Sequence, residues 1–231
     1  MTINNLSNNL ITVRRQIDEV SKLHHRNSAD VCLIAVSKTR SSDEIRTLAA
    51  QGQTHFGENY VQESVDKIAE ITDIALVWHF IGPIQKNKTK LIAENFSWVH
   101  SIDRESVATR LNNQRPPDLP ALNICLQINI DNEDSKSGIP SSALLPLAES
   151  IEQLPNLKLR GLMAIPNASN EFDQQSAAFQ KMADLLAELK QHNFDVDTLS
   201  MGMSNDYEAA IANGSTMVRI GTAIFGPRHY S

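Results

Sequence analysis

A lysine stands at the end of an apolar run, where residues 31–37 lead directly into Lys38. A continuous apolar stretch of this length is typical of a buried strand in a parallel sheet. At the carboxyl end of such a strand an amine can be partly desolvated, which lowers its pKa and makes it a nucleophile toward aldehydes. A solvated lysine that merely ends a strand is the alternative, and Lys38 alone does not decide between the two.

Two segments near the carboxyl terminus, 199–206 and 217–222, each run from a short apolar strand into glycine plus serine or threonine. Glycine lets backbone N–H groups approach an anion closely, and the hydroxyl adds a donor. Residues 206–210 are typical of a first helical turn, whose positive end would point toward loop 202–204. Either loop alone is a weak signal. Together with a strand-end lysine they predict a site for a phosphate and an aldehyde, and pyridoxal 5′-phosphate (PLP) carries both groups.

Composition limits the class of protein. The chain has 231 residues, of which 41% are hydrophobic, enough for one sizeable core in one or two domains. A net charge of −6 argues against a nucleic-acid partner. The amino terminus lacks the pattern of a signal peptide, and no apolar stretch is long enough to span a bilayer. Cys32 and Cys125 fall in apolar runs and are expected to be buried, reduced thiols. We therefore expect a cytoplasmic protein without a membrane partner.

Strands and helices are predicted to alternate along the whole chain. Such alternation implies a parallel sheet with right-handed crossovers, and eight units close into a (β/α)8 TIM-type barrel of about 250 residues. An open doubly wound sheet is the alternative, but no Gly-x-Gly-x-x-Gly follows the first strand. The prediction is a single barrel domain over residues 1–231 with an extra amino-terminal helix. The predicted strands are 31–37, 54–56, 76–81, 97–101, 122–130, 157–165, 198–201 and 217–220. The predicted helices include 3–24, 41–50, 61–71, 103–112 capped by Asp103, 142–153 and 172–191.

The barrel prediction places the polar and glycine motifs together, because ligand chemistry in such barrels lies on the loops that follow the strands. Lys38 follows the first strand, 57–59 the second, 82–85 the third and 131–138 the fifth. Pro166 follows the sixth strand. The two glycine loops follow strands seven and eight, where many barrels bind phosphate. All of these positions agree with one cofactor at one end of the barrel.

The motifs resemble those of the pyridoxal phosphate homeostasis proteins over nearly the whole chain. The matching blocks are AVSKT at 35–39, HFGENYVQE at 55–63, WHFIG at 78–82 with Gln85 and NK at 87–88, SKSG at 135–138, RGLMAIP at 160–166, SMGMS at 200–204 and VRIGTAIFG at 218–226. The resemblance implies the barrel of alanine racemase and of the eukaryotic-type decarboxylases, a fold-type III PLP protein without their second domain. It also implies a protein that buffers PLP or delivers it to PLP-dependent apoenzymes, without a well-established reaction. Because the racemase dimer relies on the missing domain, we expect a monomer.

The resemblance also implies roles for individual residues. Lys38 would form the internal aldimine with the cofactor, and Asn59 would lie near its ring. Arg219 would face the pyridine nitrogen. Met201 also belongs to the predicted cofactor-binding set, although it and its neighbour after Gly202 are better suited to packing the barrel end than to chemistry. The residues implied to hold the phosphate are Gly202, Met203, Ser204, Gly221 and Thr222.

An arginine beside the pyridine nitrogen would disfavour broad carbanion chemistry. Arg219 is a permanent cation, which would keep that nitrogen unprotonated and make the ring a poor electron sink. Racemases tolerate such an arginine because they add a tyrosine base from another domain and subunit, which we do not expect here. A structural ion-pair role for Arg219 is the alternative.

Three further side chains have two interpretations each. Lys136 lies in the loop after the fifth strand and is either a second imine-forming residue at the barrel mouth or a solvated lysine. His79 is more typical of a hydrogen-bonded structural group than of a base. Glu58 is either a base or an ion-pair partner, and the sequence does not decide between them.

Three rival functions remain open from the sequence. An amino-acid racemase of low activity would exchange the α-hydrogen in heavy water. A Schiff-base aldolase would be colourless and would trap a sugar phosphate under borohydride. A pure interaction module would take up no PLP. The sequence has neither zinc-ligand spacing nor a Gly-x-x-x-x-Gly-Lys-Ser/Thr loop.

Overall fold

The computed structural model describes residues 3–131, 133 and 136–227, so that Ser135 of the SKSG motif lies outside the described residues. The strands form a closed parallel barrel in which each strand pairs with the next and the eighth pairs with the first. The (β/α)8 barrel prediction is therefore confirmed. The strands are β1 Cys32–Val36, β2 His55–Glu58, β3 Val77–Phe80, β4 Trp98–Ile102, β5 Leu122–Gln127, β6 Leu157–Met163, β7 Thr198–Ser200 and β8 Met217–Ile220.

Helices connect successive strands on the outside of the barrel. They are α1 Ile3–Leu23, α2 Ser42–Ala49, α3 Val61–Glu70, α4 Thr89–Asn95, α5 Glu105–Gln114, α6 Leu144–Glu152, α7 Phe172–Gln191, α8 Tyr207–Ala212 and α9 Thr222–Phe225. Short 3₁₀ turns occur at Ser28–Asp30, Lys86–Lys88 and Ser141–Ala143. Within the described ranges no helix is both long and apolar enough to cross a membrane.

The sequence predicts a capping residue at the start of two helices, and the structure agrees with one of them. Ser41 caps α2 as expected, because its hydroxyl accepts the Glu44 N–H while the Glu44 carboxylate accepts the Ser41 N–H. The prediction that Asp103 caps the next helix was wrong. Arg104 is the N-cap residue of α5 and makes no capping hydrogen bond, whereas the Asp103 carboxylate accepts from the Arg104 guanidinium at 2.6 Å. The Asp103 carboxylate therefore pairs with the neighbouring guanidinium instead of capping the helix.

The core has two layers, as a barrel requires. A small cluster fills the barrel interior and consists of Ile34, Trp98, Cys125, Met163 and Met217. A larger cluster lies between the strands and the surrounding helices. Because successive strand residues point to opposite faces, β1, β4, β5, β6 and β8 each contribute to both layers. Both cysteines are free, and burial raises the pKa of the Cys32 thiol to about 11 and that of Cys125 to about 12.

Helix α1 is the element added to the eightfold repeat, and it covers the seam between the first and last units. It packs against α2, α8 and α9. The Asn9 side chain donates to the Ile224 carbonyl at 2.9 Å. Just beyond the helix, Arg26 donates to the carbonyls of Ile211 and Ser215. These contacts fasten the two ends of the chain where β1 and β8 meet.

Candidate cofactor site

The backbone on both sides of Lys38 is fixed by hydrogen bonds. The Ser37 N–H donates to the Gly57 carbonyl at 2.9 Å, which extends the pairing of β1 with β2. Thr39 adopts a positive φ of 62° and donates its N–H to Glu63 Oε1 at 2.6 Å. Lys38, which lies between them at the carboxyl end of β1, is half-buried. A non-glycine residue with positive φ usually needs such outside support, and here it turns the chain immediately after the lysine.

A buried ion pair supports this turn from the outer face of the strand. Glu58 is fully buried at the end of β2, and Lys67 of α3 donates to its Oε1 at 2.9 Å. The Ser37 hydroxyl donates to the same oxygen at 2.6 Å, and Lys67 also donates to the Ser37 carbonyl at 2.8 Å. Desolvation raises the pKa of Glu58, although Lys67 and Ser37 oppose the shift. Glu58 is therefore an ion-pair partner, which decides between the two interpretations that the sequence left open.

The loop after β7 needs glycine at position 202 for two reasons. Gly202 has a φ of 98°, and a Cβ built on it would lie 2.7 Å from the Ala210 Cβ. Its carbonyl accepts the Arg219 N–H at 2.9 Å, while the next N–H, that of Met203, donates to Asp206 Oδ1 at 2.6 Å. The loop is thus pinned at both ends against β8 and α8.

Substitution of Gly202 should destabilise the protein more than substitution of a comparable glycine. Gly214 has a similar φ of 91°, but its nearest neighbour to a built Cβ is 3.8 Å away. We expect Gly214→Ala to cost about 1–2 kcal/mol from the positive φ alone. Gly202→Ala should cost about 1–3 kcal/mol more, because it also forces Ala210 to move. Urea unfolding of the two variants measures the difference, and equal losses would contradict the close packing of this loop.

Three backbone N–H groups at this end of the barrel are used by no turn, loop or side-chain hydrogen bond within residues 3–131, 133 and 136–227. They belong to Ser204, Gly221 and Thr222. Thr222 is exposed, and the other two are partly exposed. Because β7 and β8 are neighbours, their loops present these donors on the same side of the barrel mouth. Such a group of N–H donors suits a phosphate.

Arg219 is held inside the barrel below these loops. Its Nη1 donates to the Ser200 carbonyl at 2.5 Å and to the Ser200 hydroxyl at 2.6 Å, and its Nη2 donates to the Ala164 carbonyl at 2.9 Å. The residue is 4% exposed. Burial lowers its pKa to about 10, an effect that Asp206 partly opposes. Arg219 therefore remains a cation at neutral pH, and its accepting partners are two carbonyls and a hydroxyl.

Asn59 contributes a polar atom that lacks a partner. It follows β2, and its Oδ1 is buried without a hydrogen bond among the described residues. The backbone of Gly82 approaches Asn59 so closely that a Cβ on Gly82 would lie 2.3 Å from the Asn59 carbonyl oxygen. Close backbone packing thus fixes Asn59, while its amide oxygen stays available to a ligand.

The predicted site residues converge at one end of the barrel, with one exception. Lys38, Asn59 and Arg219 belong to β1, β2 and β8 or the loops after them, and the glycine loops follow β7 and β8. These strands are adjacent in the order β7-β8-β1-β2. Met201 is the exception, because its side chain is fully buried in the core. Its assignment as a cofactor-binding residue stays a prediction.

Lys136 lies apart from these strands, in the loop after β5. Its Nζ donates to Asp131 Oδ2 at 3.0 Å, and the same oxygen accepts the Asn167 N–H at 2.7 Å. This pairing favours the interpretation of Lys136 as an ordinary loop lysine.

The site residues fit PLP and give no support for a metal. A half-buried amine, a group of unused N–H donors, a buried cation and an unpartnered amide oxygen match an aldehyde, a phosphate and a heteroaromatic ring. Across the described part of the chain no three His, Cys, Asp or Glu side chains are arranged to hold a metal ion. Sequence reasoning missed His100 and Ser200, which lie beneath Arg219. Alternation along the predicted strands could have indicated both residues, because it places their polar side chains on the inward-facing side of the barrel.

Comparison with known proteins supports this assignment of the fold. Residues 9–229 match the family described as alanine racemase, N-terminal domain. An alanine racemase from Corynebacterium glutamicum superimposes with a TM-score of 0.71 at 17% identity, and the match covers 99% of this chain and 62% of that one. This likeness shows the shared barrel. The fold and site thus define a barrel protein of the alanine racemase N-terminal type.

More similar relatives narrow the class to a family. A protein of Pseudomonas aeruginosa named pyridoxal phosphate homeostasis protein is 53% identical over 225 residues, 97% of this chain and 96% of that protein. The Escherichia coli protein of the same name is 51% identical over 232 residues, 99% of each. PipY of Synechococcus elongatus, solved with PLP bound, superimposes with a TM-score of 0.84 at 35% identity, over 96% of this chain and 100% of that one. The chain belongs to the pyridoxal phosphate homeostasis protein family.

Proposed function

We propose that this protein binds PLP covalently through Lys38 and serves PLP homeostasis by holding the cofactor and releasing it to PLP-dependent apoenzymes. The observation that carries the proposal is the convergence of a half-buried lysine, unused N–H donors and a buried arginine on four adjacent strands. The relatives from Pseudomonas aeruginosa and Escherichia coli, and PLP-bound PipY, support the choice of cofactor. The protein would act as a monomer in the cytoplasm.

Each site residue would have a distinct part in holding the cofactor. When bound, PLP supplies an aldehyde that condenses with a primary amine, with loss of one water. Lys38 would provide that amine, and the N–H groups of Ser204, Gly221 and Thr222 would bind the phosphate. Arg219 would lie at the pyridine nitrogen, and Asn59 would offer its amide oxygen to the ring. A cation at that nitrogen keeps it unprotonated, so that the cofactor would be stored in a poorly reactive form.

Titration of the purified protein with PLP tests the proposal. We expect a yellow absorption band to appear at one PLP per chain and to disappear with borohydride. Pyridoxal, which lacks the phosphate, should bind more weakly by about tenfold or more, because it loses the hydrogen bonds to the loops after β7 and β8. Equal binding of both compounds would contradict the phosphate site, and no uptake of either would contradict the proposed function.

An amino-acid racemase of low activity is the second candidate, and the match to the alanine racemase domain favours it. Incubation of the PLP-loaded protein with L-alanine in heavy water separates the two functions. A carrier should leave the α-hydrogen in place over hours at stoichiometric protein concentration. Deuterium incorporation together with D-alanine would establish the racemase instead.

A further inference from the structure

Three histidines and a serine form a continuous chain of hydrogen bonds through the interior of the barrel. His55 Nδ1 lies 2.9 Å from His79 Nε2, and His79 Nδ1 lies 2.9 Å from His100 Nε2. His100 Nδ1 lies 2.7 Å from the Ser200 hydroxyl oxygen, which also accepts from Arg219 at 2.6 Å. We call His55, His79, His100 and Ser200 the histidine relay. It ends on the guanidinium that the proposed function places beneath the cofactor.

The relay runs along the barrel axis between its two ends. His55 is the first residue of β2, at the amino end of the barrel, and is half-buried. It borders a cavity of about 340 Å³ that Arg14 and Asp18 of α1 also line. Ser200 is the last residue of β7, at the carboxyl end. The relay therefore connects the face opposite the cofactor site with the residue that holds Arg219.

The inner rings of the relay are neutral at ordinary pH. His79 and His100 are fully buried. Burial, followed by the charge of Arg219, lowers the pKa of His100 to about 3, and burial with the neighbouring rings holds the pKa of His79 well below its usual value. Burial also lowers the pKa of His55. Each neutral ring has one N–H donor and one acceptor nitrogen, so the two bonds between rings must run in the same direction.

Arg219 sets that direction, because a guanidinium can only donate. The Ser200 oxygen accepts from it, and the Ser200 hydroxyl proton has one remaining partner among the described residues, His100 Nδ1. With Nδ1 as acceptor, His100 carries its proton on Nε2 and donates to His79. His79 then carries its proton on Nε2 and donates to His55. In all three rings the proton lies on Nε2.

We propose that the histidine relay is a positioning device that holds the Arg219 guanidinium from below. His100 and Ser200 are positioning residues in this scheme, since neither lies at the loops that would contact the cofactor. Because the relay bonds are made by neutral rings, the support does not change over the physiological pH range. Other polar and aromatic groups lie beside the relay but are not members of its chain of hydrogen bonds. They are Arg14, Asp18 and Cys32 at the cavity, Trp98 stacked on His79, and Cys125 and Asp206 beside Arg219.

Nitrogen-15 NMR of histidine-labelled protein without PLP tests the relay directly. We expect His55, His79 and His100 to carry the proton on Nε2 between about pH 6 and 8. Ser200→Ala removes the hydroxyl that donates to His100. The hydrogen bonds between the rings can then run in either direction, so that all three rings, including His55, should show mixed tautomers. Protons on Nδ1 in the wild type, or tautomers unchanged in Ser200→Ala, would overturn the proposal.

Binding of PLP tests the consequence for Arg219 and rests on the proposed function. His100→Leu replaces the ring with an apolar side chain of similar size, whereas His100→Asn introduces a smaller side chain whose amide oxygen can still accept the Ser200 hydroxyl. We expect about a tenfold weaker PLP affinity in His100→Leu and a recovery of most of that loss in His100→Asn. Equal losses in both variants would mean that His100 only fills space. If the wild type bound no PLP, the proposed function would fail, while the NMR result would still decide on the relay.

Discussion

We expect Lys38→Ala to abolish the covalent attachment of PLP. Of the residues at the carboxyl ends of β7, β8, β1 and β2, Lys38 is the one that brings a half-buried amine to the proposed site. Borohydride would reduce the carbon–nitrogen double bond of this attachment to a stable secondary amine. The reduced wild type should gain the mass of one pyridoxyl phosphate group, and the variant should gain none. Residual PLP on Lys38→Ala should be non-covalent and removable by dialysis.

Peptide mapping of the reduced wild type and a matched lysine variant complete this experiment. Lys136→Ala removes the loop lysine paired with Asp131 and should leave the label on Lys38 unchanged. Label on a peptide containing Lys136 would revive the interpretation of that residue as a second imine-forming group. Full labelling of Lys38→Ala at another lysine would show that the anchor has been misassigned.

Lys67→Met should be strongly destabilising, although it is a conservative change. The substitution keeps the length of the side chain but leaves the Glu58 carboxylate buried without its cation. Removal of one partner of a buried ion pair typically costs about 3–5 kcal/mol. We expect a loss of this size in urea unfolding at pH 8. The Glu58→Gln/Lys67→Met double variant, which removes both charges, should recover most of the loss.

The loss in Lys67→Met should depend on pH with a defined sign. Desolvation already raises the pKa of Glu58 in the folded wild type, and removal of Lys67 raises it further. For an acid whose folded pKa exceeds its unfolded value, relative stability is greatest at low pH and falls as the pH rises through the folded pKa. The deficit of Lys67→Met should therefore be smaller at pH 5 than at pH 8. A deficit independent of pH would mean that Glu58 does not titrate in the variant.

The sequence predicted those elements whose patterns are local. The bounds of α7 and β8 agree with the predicted 172–191 and 217–220, because helical spacing and a short apolar run define them without outside help. Strand β2 was predicted as 54–56 but extends to Glu58. A carboxylate is untypical of a buried strand, and its partner Lys67 is brought to it only when α3 packs on the barrel. Helix α9 is a single turn and has no periodicity to detect.

The residues of the candidate site also divide into those that local patterns predict and those that only the folded barrel brings together. Lys38 and the glycine loops were identifiable because each motif is continuous in the sequence and follows a strand. The hydrogen bonds that hold Arg219 from below could not be identified from the sequence, because Ser200 and His100 are 100 residues apart and meet only when the barrel closes. His79 was predicted to be a hydrogen-bonded structural group, but its two ring partners could not be named from the sequence. Contacts across the barrel interior depend on strand register, which no local pattern fixes.

The seam between β8 and β1 has a consequence for the order of events during synthesis. Lys38 is translated long before Arg219, Gly221 and Thr222. A nascent chain that still lacks β8 therefore holds the Lys38 amine and Ser204, but it lacks the Arg219 cation and two of the three proposed phosphate donors. Cofactor capture would then have to wait until β8 has been synthesised and the barrel has closed. Ribosome-bound chains stalled before Met217 should release PLP as readily as a simple lysine peptide, whereas full-length released protein should retain it.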